Sequence, residues 1–254
     1  MCGRFMLSIV ESRLKKLMGV DFAVTGLVAR YNIAPSQPVV VVREERGRRA
    51  SVLLRWGLVP SWAKDIAIGN RMINARSETA HEKPSFRNAF KRRRCLIPAD
   101  GFYEWQKAGT ATSSGGAGQR GSPRQPYLIT MADEGPFAMA GLWEHWQDAA
   151  GNELETCTVL TTTANELVGE LHDRMPVILD PSDYGAWLDS ANEDVTTPRG
   201  LCKPYPAELM MHRSVTTYVN SPKHEGPSCA QPMDKTGGIT QIDDGETGET
   251  PLLF

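Results

Sequence analysis

The chemistry open to this chain starts at its second residue. The sequence begins Met1-Cys2-Gly3-Arg4-Phe5, and an initiator methionine is normally trimmed when the next residue is small. Trimming would leave Cys2 with a free α-amine and a thiol on adjacent carbons. Such a 1,2-aminothiol closes on an aldehyde to give a five-membered thiazolidine, which no internal cysteine can do. The reference pKa is about 8.5 for the thiol and about 7.7–8 for the amine, so both reactive forms are accessible near neutral pH. Three further stretches carry groups that could serve that reaction. In Ile73-Asn74-Ala75-Arg76-Ser77-Glu78-Thr79, an extended backbone turns Asn74 and Arg76 to one face. The amide then offers a donor and an acceptor, and the guanidinium a phosphate fork. In Asp100-Gly101-Phe102-Tyr103-Glu104-Trp105, an acid boxed by aromatics is expected to have a raised pKa and to act as a general acid. In Leu171-His172-Asp173-Arg174-Met175-Pro176, His172 can shuttle a proton near neutral pH, and Arg174 can share its face.

Each of these residues also has a plain structural use. Position 2 can be a frayed end, Asn74 a turn or a cap, Glu104 a solvent-facing strand residue and His172 a satisfied loop histidine. Trp62, in Trp56-Gly57-Leu58-Val59-Pro60-Ser61-Trp62, sits in a stiff loop where it could stack on a base or pack as a hinge. Trp56 and Trp143 read as core. The other cysteines, Cys95, Cys157, Cys202 and Cys229, form no pairs at zinc-ribbon spacing, and the total of five is odd. That argues against a disulfide framework and against a metal site. His81, His145, His212 and His224 read as structural or surface residues.

The elements that must position these groups are short. Ile9–Met18 reads as a helix with Ser8 as its N-cap. Pro38–Arg43 and Ala50–Trp56 read as a hairpin around a charged turn. Ser85–Lys91 reads as a helix, Arg94–Pro98 and Gly101–Trp105 as strands. Tyr127–Met131, Phe137–Leu142, Thr156–Thr162 and Val215–Val219 are further strands, Ala164–Leu171 and Pro181–Ser190 further helices. Residues 108–124 are rich in Gly and Ser and read as a flexible excursion. Residues 224–254 read as a disordered tail, which leaves one domain over 1–223. Many short strands and few scattered helices imply an α+β fold: an antiparallel, partly barrel-like β-sheet core with short peripheral helices.

The chain has 254 residues, enough for one substantial core, and its net charge is only −2. Residues 1–100 nevertheless carry 19 Lys/Arg against 8 Asp/Glu. A basic half of this kind hints at a polyanion partner. Arg43, Arg46, Arg48 and Arg49 form one basic cluster, and Lys91-Arg92-Arg93-Arg94 the other. Residues 1–10 lack a charged segment followed by an apolar one, and no apolar run is long enough to span a bilayer. A cytoplasmic, nucleoid-associated protein is therefore expected.

Eight motifs in order, MCGRF, RYNIAP (30–35), RWGLVPSW (55–62), INARSET (73–79), CLIPADGFYEW (95–105), AGLWE (140–144), LTTTAN (160–165) and LHDRMPVIL (171–179), resemble the SRAP family. These are the SOS response-associated peptidases, described as abasic-site processing proteins. The resemblance covers residues 2–223. It implies binding of single-stranded DNA at an abasic site and a thiazolidine crosslink between Cys2 and the ring-opened sugar aldehyde. It implies that Asn74 orients cysteine and sugar, that Glu104 is the general acid/base, and that His172 assists proton transfer. It implies phosphate contacts from Arg4, Arg76 and Arg174, and stacking by Trp62. It also implies removal of the protein's own Met1 and admits an AP-lyase activity; a monomer without cofactor or metal is expected. Two other classes stay open from the residues themselves: an N-terminal-nucleophile thiol peptidase or amidase, and a non-catalytic single-stranded nucleic-acid binder. The first leaves the basic half unexplained and the second leaves Cys2 idle.

Overall fold

The structure, a computed structural model, describes residues 2–8, 11–19, 26–106, 124–189, 191 and 193–233. In chain order the strands are β1 (Phe5–Leu7), β2 (Arg30–Ile33), β3 (Pro38–Glu45), β4 (Arg48–Trp56), β5 (Asn74–Arg76), β6 (Arg94–Ala99) and β7 (Gly101–Trp105). They continue with β8 (Pro126–Met131), β9 (Phe137–Gln147), β10 (Glu153–Thr163), β11 (Arg174–Pro176), β12 (Ile178–Leu179) and β13 (Met210–Ser214). Strands β4, β3, β6, β9 and β10 pair in sequence, and β10 closes back on β4 in parallel, through Thr156↔Arg55 and Cys157↔Trp56. The result is a five-stranded barrel. A second, antiparallel sheet runs β13-β8-β7-β1-β2. The α+β reading with a partly barrel-like sheet holds.

Local chemistry explains most of these elements. Arg46 and Gly47 both have positive φ, 52° and 75°, as the tight turn between β3 and β4 requires. The strands themselves carry valines at 39–42, which are all buried. The barrel and the second sheet join at Asp100, the single residue between β6 and β7. Its carboxylate accepts from both the amide and the hydroxyl of Ser8, at 2.9 and 2.7 Å. Ser8 is thus spent on tying the end of β1 to this corner.

The second sheet is sandwiched. Phe5 and Phe102 lie opposite each other in the β1–β7 register and belong to the main core. Phe5 meets Trp56 of the barrel edge-on at 5.1 Å, a contact worth about 0.5–1.5 kcal/mol beyond the area it buries. Met6 and Tyr103, on the other face, pack with Val215, Val219 and Cys229 in a smaller core.

The structure differs from the sequence reading in three places. Val215–Val219 is not a strand. The last strand is β13, followed by an isolated bridge at Val215 and a 3-10 turn over Thr217–Asn220, because the Thr216 hydroxyl accepts from the Tyr218 amide and turns the chain. The chain also does not leave the fold at 224. Pro227–Cys229 is a 3-10 turn, Cys229 is fully buried, and Pro232 bridges to Val215. Two apolar side chains and a set of carbonyls facing Asn32 suffice to hold this segment in place. The rest of the expected tail, 234–254, and nearly all of the 108–124 excursion lie outside the described residues.

The third difference concerns charge. Arg94 is buried, and its guanidinium donates to the carbonyls of Trp187, Phe90, Lys91 and Asp189. Arg93 pairs with Glu144 at 2.7 Å and Arg92 with Glu193 at 2.7 Å. Arg43 is buried too, against Trp143 and paired with Glu45 and Glu155. Arg43 and Arg94 are therefore internal wiring and not part of a surface for a polyanion, whereas Arg46, Arg48, Arg76 and Lys91 stay exposed.

Candidate functional site

Strand β1 delivers Cys2 to the interior, where the residue is fully buried. Two things fix it. The Phe5–Trp56 contact holds the strand, and the Asn74 amide nitrogen donates to the Cys2 carbonyl at 2.7 Å. Asn74 belongs to β5, which lies on the β10 side of the barrel, so this bond joins the two sheets. Its Oδ1 is buried and meets no hydrogen-bond donor among the described residues. Burial pushes the Cys2 thiol up to about 12, with the Glu104 charge adding to it and the Arg4 amide opposing it. At neutral pH the sulfur therefore holds its proton.

Glu104 stands on β7, beside β1. It is 3% exposed, and burial pushes its carboxyl up to about 7. The sequence suggested that Phe102, Tyr103 and Trp105 would box it in. Strand alternation does something different: Phe102 and Glu104 face the barrel, while Tyr103 and Trp105 face the other way. Tyr103 donates to the Tyr31 carbonyl at 2.8 Å, and Trp105 to Asn220 at 2.6 Å. The aromatic neighbours clamp the strand, and the barrel side dries the acid. A carboxyl near 7 is half protonated at neutral pH, so it can give or take a proton at little cost.

His172 and the arginines are arranged by sheet register. On β10, Val159 lies opposite Asn74, Thr161 opposite Arg76, and Thr163 opposite Arg174 of β11. Strands β5 and β11, on either side of β10, thus carry Asn74, Arg76 and Arg174 on one face of the sheet. Arg76 is exposed. Arg174 makes a two-pronged ion pair with Glu78, at 2.6 and 2.8 Å, which holds the Glu78 carboxyl below its ordinary range. His172 precedes β11, after a helical turn at Glu166–Gly169 capped by the Asn165 side chain. Its Nδ1 accepts from the Arg174 amide at 3.0 Å. While Nδ1 accepts, the neutral ring carries its proton on Nε2.

Trp62 is 58% exposed on a loop that is itself well anchored. The Val59 amide donates to Thr156, and Trp146 donates to the Ala63 carbonyl. At the loop's start Gly57 has φ 126°, and a Cβ there would sit 2.7 Å from the Gly69 carbonyl oxygen. Arg4 is half buried over Trp105 and tied to Asn32 and to the Val219 carbonyl. The structure thus brings Cys2, Asn74 and Glu104 together, sets Arg76 and Arg174 in register with Asn74 across β10, and ties His172 to the Arg174 amide. Asn32 was missed, and only its place in the RYNIAP motif could have drawn attention to it. Among the described residues, no group of three or more His, Cys, Asp or Glu could hold a metal ion, and no helix is long and apolar enough to cross a membrane.

Fold and site together define a class: α+β barrel proteins whose second residue, a cysteine, is seated between a buried acid and a backbone-binding amide. The chain belongs to the SRAP family, whose model, described as SOS response associated peptidase, matches residues 1–222. It is 42% identical over 229 residues to the abasic site processing protein YoqW of Bacillus subtilis, covering 89% of this chain and 97% of that one. It is 34% identical to the abasic site processing protein HMCES of Gallus gallus, covering 80% of this chain and 66% of that one. Among solved structures, a protein from Bacteroides thetaiotaomicron aligns with a TM-score of 0.78 at 26% identity, covering 91% of this chain and 99% of that one.

Proposed function

We propose that this protein processes abasic sites in single-stranded DNA by linking itself to the lesion through Cys2. The observation that carries the reading is the seating of Cys2: its carbonyl is held by Asn74, and a carboxyl near 7 stands close enough to shift its thiol. The names of the relatives point to the same lesion. Chemistry requires Met1 to be absent first, since an amide nitrogen cannot form a Schiff base.

An abasic sugar is mostly a closed hemiacetal. Protonated Glu104 donates to the ring oxygen as the C1′ hydroxyl passes its proton to solvent water, and the aldehyde opens. The Cys2 amine adds to C1′, solvent returns that proton to the new hydroxyl, water leaves, and a protonated Schiff base forms. The thiol gives its proton to ionised Glu104 as sulfur attacks C1′. The C–S bond forms, the C=N π pair returns to nitrogen, and the thiazolidine closes. Aldehyde and aminothiol thus become ring plus water, with no redox change. A thiol held near 12 is a poor nucleophile until a base takes its proton, which is why the acid must sit beside it. His172, its proton on Nε2, serves the sugar's proton transfers and the reverse reaction. Arg4, Arg76 and Arg174 hold phosphates, for which Arg174 must release or share Glu78, and Trp62 stacks on a base. Phosphate clamping positions a lesion without reading sequence. The family description as a peptidase supports a second activity, hydrolysis of the protein's own Met1–Cys2 bond, and a Schiff base also opens the way to strand cleavage by β-elimination.

The test is a denaturing gel of the purified, methionine-free protein with single-stranded DNA containing one abasic site. A heat-stable shifted band is expected with the wild type and none with Cys2→Ala. Absence of the band in the wild type refutes the proposal.

A further inference from the structure

We infer that Asn32 is a positioning residue for DNA binding: it locks Arg4 in place so that one edge of the guanidinium is held inward and the other is presented to a phosphate. The inference rests on the function proposed above. Asn32 is 1% exposed and lies on β2, the strand paired with β1. Its Oδ1 accepts from Arg4 Nη1 at 2.6 Å. Its Nδ2 points at three carbonyls of the C-terminal segment, Ser221 at 2.9 Å, His224 at 2.8 Å and Val219 at 3.4 Å. The Val219 carbonyl also accepts from Arg4 Nη1, at 2.8 Å.

One amide therefore uses both its ends, joining the N-terminal strand to a segment some two hundred residues away. The commitment of Arg4 is one-sided. Nη1 carries both hydrogen bonds, and the Trp105 ring lies 5.7 Å from the guanidinium carbon. Among the described residues Nη2 makes no hydrogen bond, and it is not among the buried orphaned atoms, whereas Nε is. A planar guanidinium fixed at one nitrogen and against one ring has little freedom left, so the direction of Nη2 is set by Asn32 together with the Val219 carbonyl that Asn32 also faces. Free of Asn32, a long side chain would have to be ordered again each time DNA binds.

Asparagine carries no charge, which gives the test its edge. The salt dependence of binding counts phosphates neutralised, at about 0.7 in the log–log slope per contact on a single strand. The probe is a single-stranded oligonucleotide with one tetrahydrofuran residue, an abasic analogue without an aldehyde, so binding is read without crosslinking. Wild type, R4A, N32A and the double variant are titrated across a salt series. Expected is a slope reduced by about 0.7 in R4A and by the same amount in N32A, with no further loss in the double variant. A merely structural Asn32 would weaken binding at every salt concentration and leave the slope unchanged. An unchanged slope in N32A, or in R4A, overturns the inference while the abasic-site reading stands on the wild-type gel. Failure of the wild type to bind the oligonucleotide overturns both. If N32A melts below the assay temperature, N32S takes its place with the same expectation, since serine is too short to reach Arg4.

Discussion

Burying Glu104 next to Cys2 should make the protein less stable as pH rises, and Glu104→Gln should remove that penalty. The carboxyl moves from the 4.5 of a free glutamate to about 7 in the fold. Each pH unit of separation is worth about 1.4 kcal/mol, so keeping the ionised form buried costs about 3 kcal/mol. The sign follows from proton counting. Between 4.5 and 7 the folded chain holds a proton that the unfolded chain has lost, so stability falls across that window. Below 4.5 both states are protonated and no penalty exists; above 7 it is complete. Glutamine has the same shape and no charge to desolvate. Glu104→Gln should therefore match the wild type at pH 4.5 more closely than at pH 8, where it gains about 3 kcal/mol. For a domain of this size that is about 6–12 °C in Tm. The assay is thermal or urea unfolding of both proteins at several pH values, read as the difference between them. A difference that stays flat from pH 4.5 to 8 would refute the claim that burial holds this acid near neutrality. The same variant should lose its crosslinking rate, so gained stability and lost chemistry would be measured in one protein.

Two further substitutions separate surface from wiring. Trp62→Ala should leave the melting temperature within a degree or two and weaken binding of single-stranded DNA by roughly the 1–3 kcal/mol that stacking one base supplies, checked by fluorescence titration; unchanged affinity would remove Trp62 from the interface. Arg94→Met should do the reverse. It strips donors from the carbonyls of Trp187, Phe90, Lys91 and Asp189, each left at about 1–3 kcal/mol if unsatisfied. A loss of several kcal/mol in urea unfolding is expected, and if the variant unfolds like the wild type, Arg94 is not the internal cap described here.

The parts of the fold that could be read directly were those fixed by neighbours in sequence. The hairpin over residues 38–56 needs a turn with two positive φ angles, and Arg46-Gly47 between two runs of apolar and β-branched residues announces it. Gly101–Trp105 was legible as a strand for the same local reason. What joins the strands was not legible. The parallel pairing of β10 with β4 closes the barrel, and its parallel pairing with β5 sets Asn74 and Arg76 on the same strand-to-strand register as the β10–β11 pair that carries Arg174, yet both parallel pairings join segments far apart in sequence. The candidate site was nameable because its groups are chemically unusual, Cys2 by position and Glu104 by its company. The cause of Glu104's burial was misread, because alternation sends its aromatic neighbours to the opposite face. Arginine was the residue most misjudged. Composition counts Arg94 and Arg43 as surface charge, and only a structure reveals a guanidinium spent on carbonyls or buried ion pairs. Residues 224–233 looked like the start of a polar tail for a related reason: what holds them lies elsewhere in the chain, Asn32 at the His224 carbonyl and the Ser214–Thr216 backbone at Gln231 and Met233.

The pairing of β7 with β8 has a consequence for how this protein can be altered. Trp105 lies opposite Pro126, and the Gln106 amide bonds the Gln125 carbonyl at 3.1 Å. The two strands are thus fastened at the point where residues 107–123 depart and return. A connection that starts and ends at paired strand residues can change length without moving those residues. This hairpin end is therefore a natural joint at which the chain can be extended, shortened or fitted with a fluorescent or affinity handle while Glu104, one residue inside the fastening, stays where it is. The front of the chain allows nothing of the kind: under the proposed chemistry one added residue ahead of Cys2 would cap the amine.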